Sequence, residues 1–214
     1  MARAPDAVGG RIVSVSTVLF DGYPMERAIE EIARSGAGHV EPAYIRGYVD
    51  FTEADFGQAP AGRLRKRVAD AGLSIHAVSA HMDISLPEGR DMLERRIGFA
   101  EAIGAKVLIT NAGPADRLDR IRATIGQMLP RLEAWGGMLA IENPGHGTGD
   151  LVGNAREGRS LVDLIGSPHV RLNPHAGNVF TYSREALQSA EDYLSAADAV
   201  GHVHLKDVRR SAEG

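Results

Sequence analysis

Seven short β-rich runs recur along the chain, opening near Ile12 (IVSVSTV), Gly38 (GHVEPAY), Ser74 (SIHAVSA), Lys106 (KVLITNAG), Met138 (MLAIENPG), Val170 (VRLNPHAG) and His202 (HVHLKD). Successive openings lie 26, 36, 32, 32, 32 and 32 residues apart, which leaves room for one helix between each pair. Helical periodicity fills that room. Met25, Ala28, Ile29, Ile32 and Ala33 fall at i, i+3, i+4, i+7 and i+8, and Ile121, Ile125, Met128, Leu129 and Leu132 behave likewise. Glycines in ARSGAG, ADAGLS and EAIGAK stand where a left-handed helix C-cap is wanted just before the next strand. Seven strands alternating with six helices predict a parallel sheet, either open and doubly wound or closed as a (β/α)8 barrel.

The polar residues that interrupt these apolar runs decide between the two. An open sheet gathers its functional groups at the one crevice where strand order reverses, whereas a barrel collects them from the C-terminal ends of many strands. Here Glu41, His81, Asn111, Glu142, His175 and His204 lie at or just past the ends of six different strands. The expected fold is therefore an α/β (β/α)8 TIM barrel, with seven strands visible and the eighth missing from this chain. Its 214 residues suit one domain over residues 11–214, with residues 1–10 (MARAPDAVGG) a flexible lead-in.

Composition removes several classes of function. Lys and Arg number 24 against 28 Asp and Glu, for a net charge of −4, and no basic block suggests a nucleic-acid arm. With no cysteine, disulfides, thiolate ligands and cysteine nucleophiles are excluded. Neither a signal-peptide core nor a membrane-length apolar run is found, so a cytoplasmic protein is expected.

A carboxylate and two imidazoles aimed into one barrel mouth have the composition of a divalent-metal site, and Glu142, His175 and His204 are the candidates. A carboxylate buried without a partner costs several kcal/mol, so Glu142 must face a metal, loop N–H groups or Lys206. His175, in the turn NPHAGN, reads equally as a ligand or as a solvated turn residue. His204 shares a strand face with His202 and Lys206. His202, near the start of its run, reads as core or barrel bottom. Lys206 and Asp207 form either a local ion pair or an electrostatic stabiliser with its orienting partner. His81 in SAHMDIS is a loop histidine or a substrate contact, and Arg210 is placed to clamp a hydroxyl or phosphate. The GHGTG stretch has no helix directly behind it and reads as a flexible loop over the mouth rather than a phosphate loop.

The ordered motifs LAIENPG, VRLNPHAGNVF and VGHVHLKD resemble those of the xylose isomerase-like TIM barrels, a group of sugar isomerases and epimerases, inosose dehydratase-like lyases and endonuclease IV relatives. The likeness runs from about Ile12 to Asp207. It implies one divalent ion held by a Glu ending strand five, an Asp ending strand six, a His on strand seven and a Glu or Gln on strand eight. Glu142 matches the first and His204 the third. His175 stands where the Asp is expected, Asn178 at a substrate contact, and Arg210 at a substrate-binding arginine of the ketose epimerases. Glu41, His81 and Asn111 complete the substrate-binding set. The Asp-to-His change makes the donor set richer in nitrogen, which favours Zn, Mn, Fe or Co over Mg. The fourth ligand has no counterpart.

The resemblance implies a sugar, sugar-phosphate or cyclitol isomerase or epimerase that removes an α-proton through a metal-stabilised enediolate, with Glu142 and Lys206 as catalytic residues. Loss of a β-hydroxyl from the same enediolate would make it a dehydratase acting on a related polyol ketone. An endonuclease IV-like activity at abasic DNA needs three metals; His81 is available, but Asn111 and Asn178 stand where histidines are expected and a late Asp-x-His is missing. A third reading is a non-catalytic barrel subunit. Expected partners are a small sugar or polyol and further copies of the chain in a dimer or tetramer, with neither nucleic acid nor membrane.

Overall fold

At six of its seven apolar runs the chain forms short parallel strands, each run followed by a helix. The computed structural model describes residues 7–8, 11–144, 149–182, 189–206 and 208. Seven α-helices are present among them: α1 (Met25–Arg34), α2 (Gln58–Asp70), α3 (Gly89–Ile103), α4 (Leu118–Trp135), α5 (Ala155–Ile165), α6 (Ala176–Tyr182) and α7 (Ser189–Ser195). Two compact units divide the chain. One comprises Met1–His81, Asp91–Ile109 and Arg131–Gly137, the other Met82–Arg90, Thr110–Pro130 and Met138–Gly214.

In the first unit the strand His39–Glu41 lies parallel between Ser14–Ser16 and Ser74–Ile75, while Ala77–Ala80 pairs in parallel with Ala43–Tyr44 and with Val107–Ile109. Within the stretch expected as a lead-in, Ala7–Val8 pairs antiparallel with Arg11–Ile12. The strand Ala77–Ala80 is buried along its whole length, as a parallel strand covered on both faces must be. Helix α1 illustrates what docks the helices. Its buried stripe is Ala28, Ile29 and Ile32, while Glu31 pairs at the surface with Arg27 and Arg34. Full burial of each isoleucine contributes roughly 1.5–3 kcal/mol and each exposed ion pair less than about 1 kcal/mol, so the stripe fixes the helix. Gly36, Gly72 and Gly104, at the expected helix ends, have φ of 86°, 74° and 84°.

The second unit carries the strands Met138–Glu142 and Val170–Asn173, parallel and in register from Leu139↔Val170 to Glu142↔Asn173. Helix α5 packs on Val170–Asn173 through Gly158, where a Cβ would come within 2.6 Å of Leu172 Cδ2. Its first turn is closed from three sides. Asn154 Oδ1 accepts from the Glu157 N–H (2.9 Å), Glu157 Oε2 accepts from the Gly153 N–H (2.8 Å), and Asp192, buried on α7, accepts the Ala155 N–H with both oxygens (3.0 and 2.8 Å).

The seventh run departs from expectation. Instead of a continuous strand at HVHLKD, only two isolated parallel bridges form, Leu172↔Val200 and His175↔His204. The His202 N–H donates to Leu172 O (3.3 Å) and the His204 N–H to Pro174 O (3.1 Å). The rung between them needs an N–H at residue 174, and proline has none. The Gly201 N–H (3.0 Å) reaches Leu172 O as the His202 N–H does. The bridged residues lie 28 apart at Leu172↔Val200 but 29 apart at His175↔His204, so one extra residue on the 200–204 side shifts the register and splits the ladder in two. No eighth strand is present among the described residues.

Candidate metal centre

Glu142 ends an apolar strand and is only 3% exposed, so its carboxylate must be compensated. The in-register neighbour supplies the first partner: Asn173, fully buried, donates from Nδ2 to Glu142 Oε2 at 2.6 Å. The second is His204, whose Nδ1 lies 2.7 Å from the same oxygen. Asn173 Oδ1 in turn lies 2.9 Å from His202 Nδ1, and Asn173 Nδ2 lies 3.2 Å from His204 Nδ1. A carboxylate accepts and cannot donate, so the orientation of the Asn173 amide is fixed, with Nδ2 toward Glu142 and Oδ1 toward His202. His202, expected as core or barrel bottom, is half-buried, with its ring centroid 5.4 Å from that of His204. Its placement is corrected accordingly, and the cause is the hydrogen bond to Asn173.

His175 follows Pro174 and opens α6. The neighbouring Asn143, 2% exposed, clamps the His175 backbone with its amide, accepting from the His175 N–H (2.8 Å) and donating to its C=O (3.3 Å). Asn178 Nδ2 donates to Asn143 O at 3.0 Å, and its own backbone N–H donates to His175 Nδ1 at 3.3 Å. The rings of His175 and His204 stand edge to face with centroids 5.5 Å apart. Burial pushes the His175 imidazole down to about 4; Glu142 opposes that shift, and His204 and Lys206 add to it. The ring is therefore neutral at pH 7, the form that coordinates metals. Lys206 is exposed, and its stem lies over α6, since a Cβ at Gly177 would be 3.3 Å from its Cγ and Cδ.

One ligand atom from each of Glu142, His175 and His204 lies within 4.8 Å of the other two. Donors bound at about 2.1 Å to a shared ion are about 3–3.5 Å apart, so side-chain adjustments of an ångström or so complete the approach. The donor set, one carboxylate and two imidazoles of which one is held neutral, fits a divalent cation.

Of the residues singled out in the sequence, Glu142, His175, His204, Asn111, Asn178 and Lys206 belong to this unit. Asn111 Nδ2 donates to the Glu142 carbonyl at 3.3 Å. Glu41 and His81 belong to the other unit, where Glu41, 2% exposed, accepts from Ser79 Oγ (2.9 Å) and the His81 N–H donates to Tyr44 O (3.2 Å). Asp207, Arg210 and most of the GHGTG stretch lie outside the described residues. Asn143, Asn173 and His202 are residues bonded to the cluster that the motifs did not single out. The first two sit at strand ends that carry candidates, Asn143 beside Glu142 and Asn173 two residues before His175.

The segment that follows Glu142 is tied down again at Gly149–Val152. The Ala115 N–H donates to Gly149 O (3.1 Å), the Leu151 N–H to Gly113 O (2.8 Å), and Asp150 accepts from the N–H groups of Gly113 (2.8 Å) and Val152 (2.9 Å). Burial nevertheless pushes the Asp150 carboxyl up to about 6, with Asp83 and Glu157 contributing.

Residues 29–214 match the sequence profile of the xylose isomerase-like TIM barrel. Solved structures share the fold at low identity. An L-ribulose 3-epimerase superposes with a TM-score of 0.69 and 21% identity over 90% of this chain and 68% of its own. A D-psicose 3-epimerase crystallised in the presence of D-fructose gives 0.71 and 16% over 89% and 71%. A "probable 3-DHS dehydratase" from Bacillus anthracis gives 0.70 and 14% over 94% and 74%. None of the curated protein sequences matches the chain. Among the described residues, no helix is long and apolar enough to cross a membrane.

Proposed function

We propose that this chain, which belongs to the family of xylose isomerase-like TIM barrels, is a divalent-cation-dependent sugar epimerase or isomerase that exchanges the proton next to a ketose carbonyl. The observation that carries the proposal is the convergence of Glu142, His175 and His204, donors from three successive βα segments, within 4.8 Å. The 3-epimerase structures that share the fold support a ketose substrate and the carbon beside its carbonyl as the reacting centre.

Glu142, His175 and His204 would hold the cation. When bound, the ion supplies positive charge to the oxygen on which negative charge develops as the C–H bond breaks. The remaining steps fall to the chain's own groups. Glu142 takes the α-proton, and the electron pair of the broken C–H bond moves into the carbonyl, giving an enediolate. Asn173 and His204 hold the Glu142 carboxylate in one orientation, so the base meets the substrate with its geometry already set. Asn178 and Asn111 border the cluster and contact substrate hydroxyls. Lys206, whose charge is felt at His175, adds a cation at the rim toward the same developing oxyanion.

The test is a panel of ketopentoses and ketohexoses incubated with metal-loaded protein in deuterated water. Deuterium at the carbon next to the carbonyl, accompanied by the epimer or the isomeric aldose, is the expected result. Solvent exchange with no substrate on the panel would sink the proposal. A second reading, dehydration of a polyol ketone, is favoured by the fold shared with the 3-DHS dehydratase. It predicts an enone chromophore, formed by loss of the β-hydroxyl, in place of an epimer.

A further inference from the structure

The two imidazoles of the cluster are held in opposite tautomers. His204 Nδ1 lies 2.7 Å from Glu142 Oε2, a separation at which an unprotonated nitrogen would face an acceptor lone pair to lone pair. Its ring hydrogen therefore sits on Nδ1, and the Asn173 amide converges on the same carboxylate oxygen from Nδ2. At His175 the partner is a backbone N–H, that of Asn178 in the first turn of α6, 3.3 Å from Nδ1. A backbone N–H can only donate, so Nδ1 of the neutral ring carries the lone pair and Nε2 the hydrogen. The Asn143 amide fixes the His175 backbone on both its N–H and its C=O, which leaves the ring free to move only about its own side-chain torsions.

A neutral imidazole has one lone pair. At His175 that lone pair already closes the first turn of α6. A cation on Nδ1 displaces the Asn178 N–H. A cation on Nε2 drives the ring hydrogen to Nδ1, where it opposes the Asn178 N–H donor to donor. Both routes break the same hydrogen bond. A carboxylate at this position would face no such choice, since one oxygen can accept the N–H while the other ligates.

We propose that His175 is a helix cap in the cation-free protein and becomes a ligand only by releasing Asn178, so that divalent-cation binding is coupled to loosening of the first turn of α6 and is weaker than the position permits. This rests on the reading that Glu142, His175 and His204 hold the cation. The coupling makes residue 175 a determinant of which divalent ion is retained: His→Asp restores cap and ligand together and adds an oxygen donor suited to harder ions.

The test uses the full chain labelled with 15N, free of metal and at mildly alkaline pH, with His175 resonances assigned by difference from His175→Gln. Long-range correlations to the ring nitrogens are expected to report an unprotonated Nδ1 at His175 and a protonated Nδ1 at His204. A protonated Nδ1 at His175 overturns the cap. On addition of one equivalent of Zn2+, the Asn178 amide is expected to shift and to exchange faster with solvent; an unchanged Asn178 amide in Zn-loaded protein overturns the coupling. Competition titration should give a Mn2+ dissociation constant at least about tenfold lower for His175→Asp than for wild type, and an equal or higher constant contradicts the proposal. Uptake of neither Zn2+ nor Mn2+ by wild type and variant alike would remove the cation reading and the uncapping with it, while the tautomers of the metal-free protein still decide whether the ring caps α6.

Discussion

The two sides of the candidate centre are built by different means. Glu142 stands at the end of a strand whose residues 139–142 are buried and paired in register with Val170–Asn173. His204 stands on a segment joined to its neighbours by isolated bridges, with Val203 and Leu205 38% and 86% exposed. The carboxylate is placed by a continuous strand, the imidazole by isolated backbone bonds to Pro174 and Ala176 and by the side-chain contact to Glu142. A site assembled this way has a strand behind one side and only a few separate bonds behind the other.

His204→Ala tests the weaker side most harshly. Loss of a ligand should reduce cation affinity more than about 100-fold, beyond the 10–100-fold typical of groups that merely support a ligand, with the far-ultraviolet spectrum unchanged. Retention of wild-type affinity on calorimetric titration would remove His204 from the ligand set. Asn173→Ala should act on both sides at once. It strips a donor from Glu142 and an acceptor from His202, so a stability loss of about 1–3 kcal/mol in urea unfolding and a cation affinity reduced about 10–100-fold are expected.

Acid sensitivity separates the centre from the anchor at Asp150. The folded His175 ring, held down to about 4, refuses a proton that the unfolded ring accepts below its ordinary value of 6.5. Its contribution therefore lowers stability as pH falls between those values. Asp150, pushed up to about 6, keeps a proton that the unfolded carboxyl releases above 3.8, so its contribution lowers stability as pH rises across that window. Between about pH 7.5 and about pH 4.5, the drop in melting temperature should be smaller than wild type for His175→Gln and larger for Asp150→Asn. The same sign for both variants would refute the assignment. The smallest effect belongs to Pro174→Ala. A restored ladder hydrogen bond contributes about 0.5–1.5 kcal/mol, and the freer unfolded chain takes back about 0.4–1 kcal/mol. Stability should stay within about 1 kcal/mol, and the new amide at 174 should gain protection from hydrogen exchange while the register shift between the two bridges persists.

Much of this was legible in the sequence because strand ends announce themselves. Glu142 interrupts an apolar run, and His204 alternates with Val203 and Leu205, so their positions follow from periodicity alone. The helix stripes at Ile29 and Ile32 and at Ile121 and Ile125 are likewise buried as their spacing requires. Asn173 was not legible for a physical reason. Its role depends on standing directly across from Glu142, 31 residues earlier, and a register between strands is set by tertiary packing rather than by local pattern. His202 stands half-buried against Asn173 rather than in the core, and the bond that holds it joins side chains 29 residues apart. The split seventh ladder was not legible either, because it comes from a one-residue register shift between the two bridges, which tertiary packing sets.

The Asp192 carboxylate that closes the first turn of α5 also orders events in time. The N–H of Ala155 takes its acceptor from 37 residues later in the chain, so this bond forms only once α7 has docked, whereas the Asn154 and Glu157 caps of the same turn are local. In folding kinetics, Asp192→Ala should speed unfolding while leaving the folding rate nearly unchanged, the mark of a contact made after the barrier is crossed.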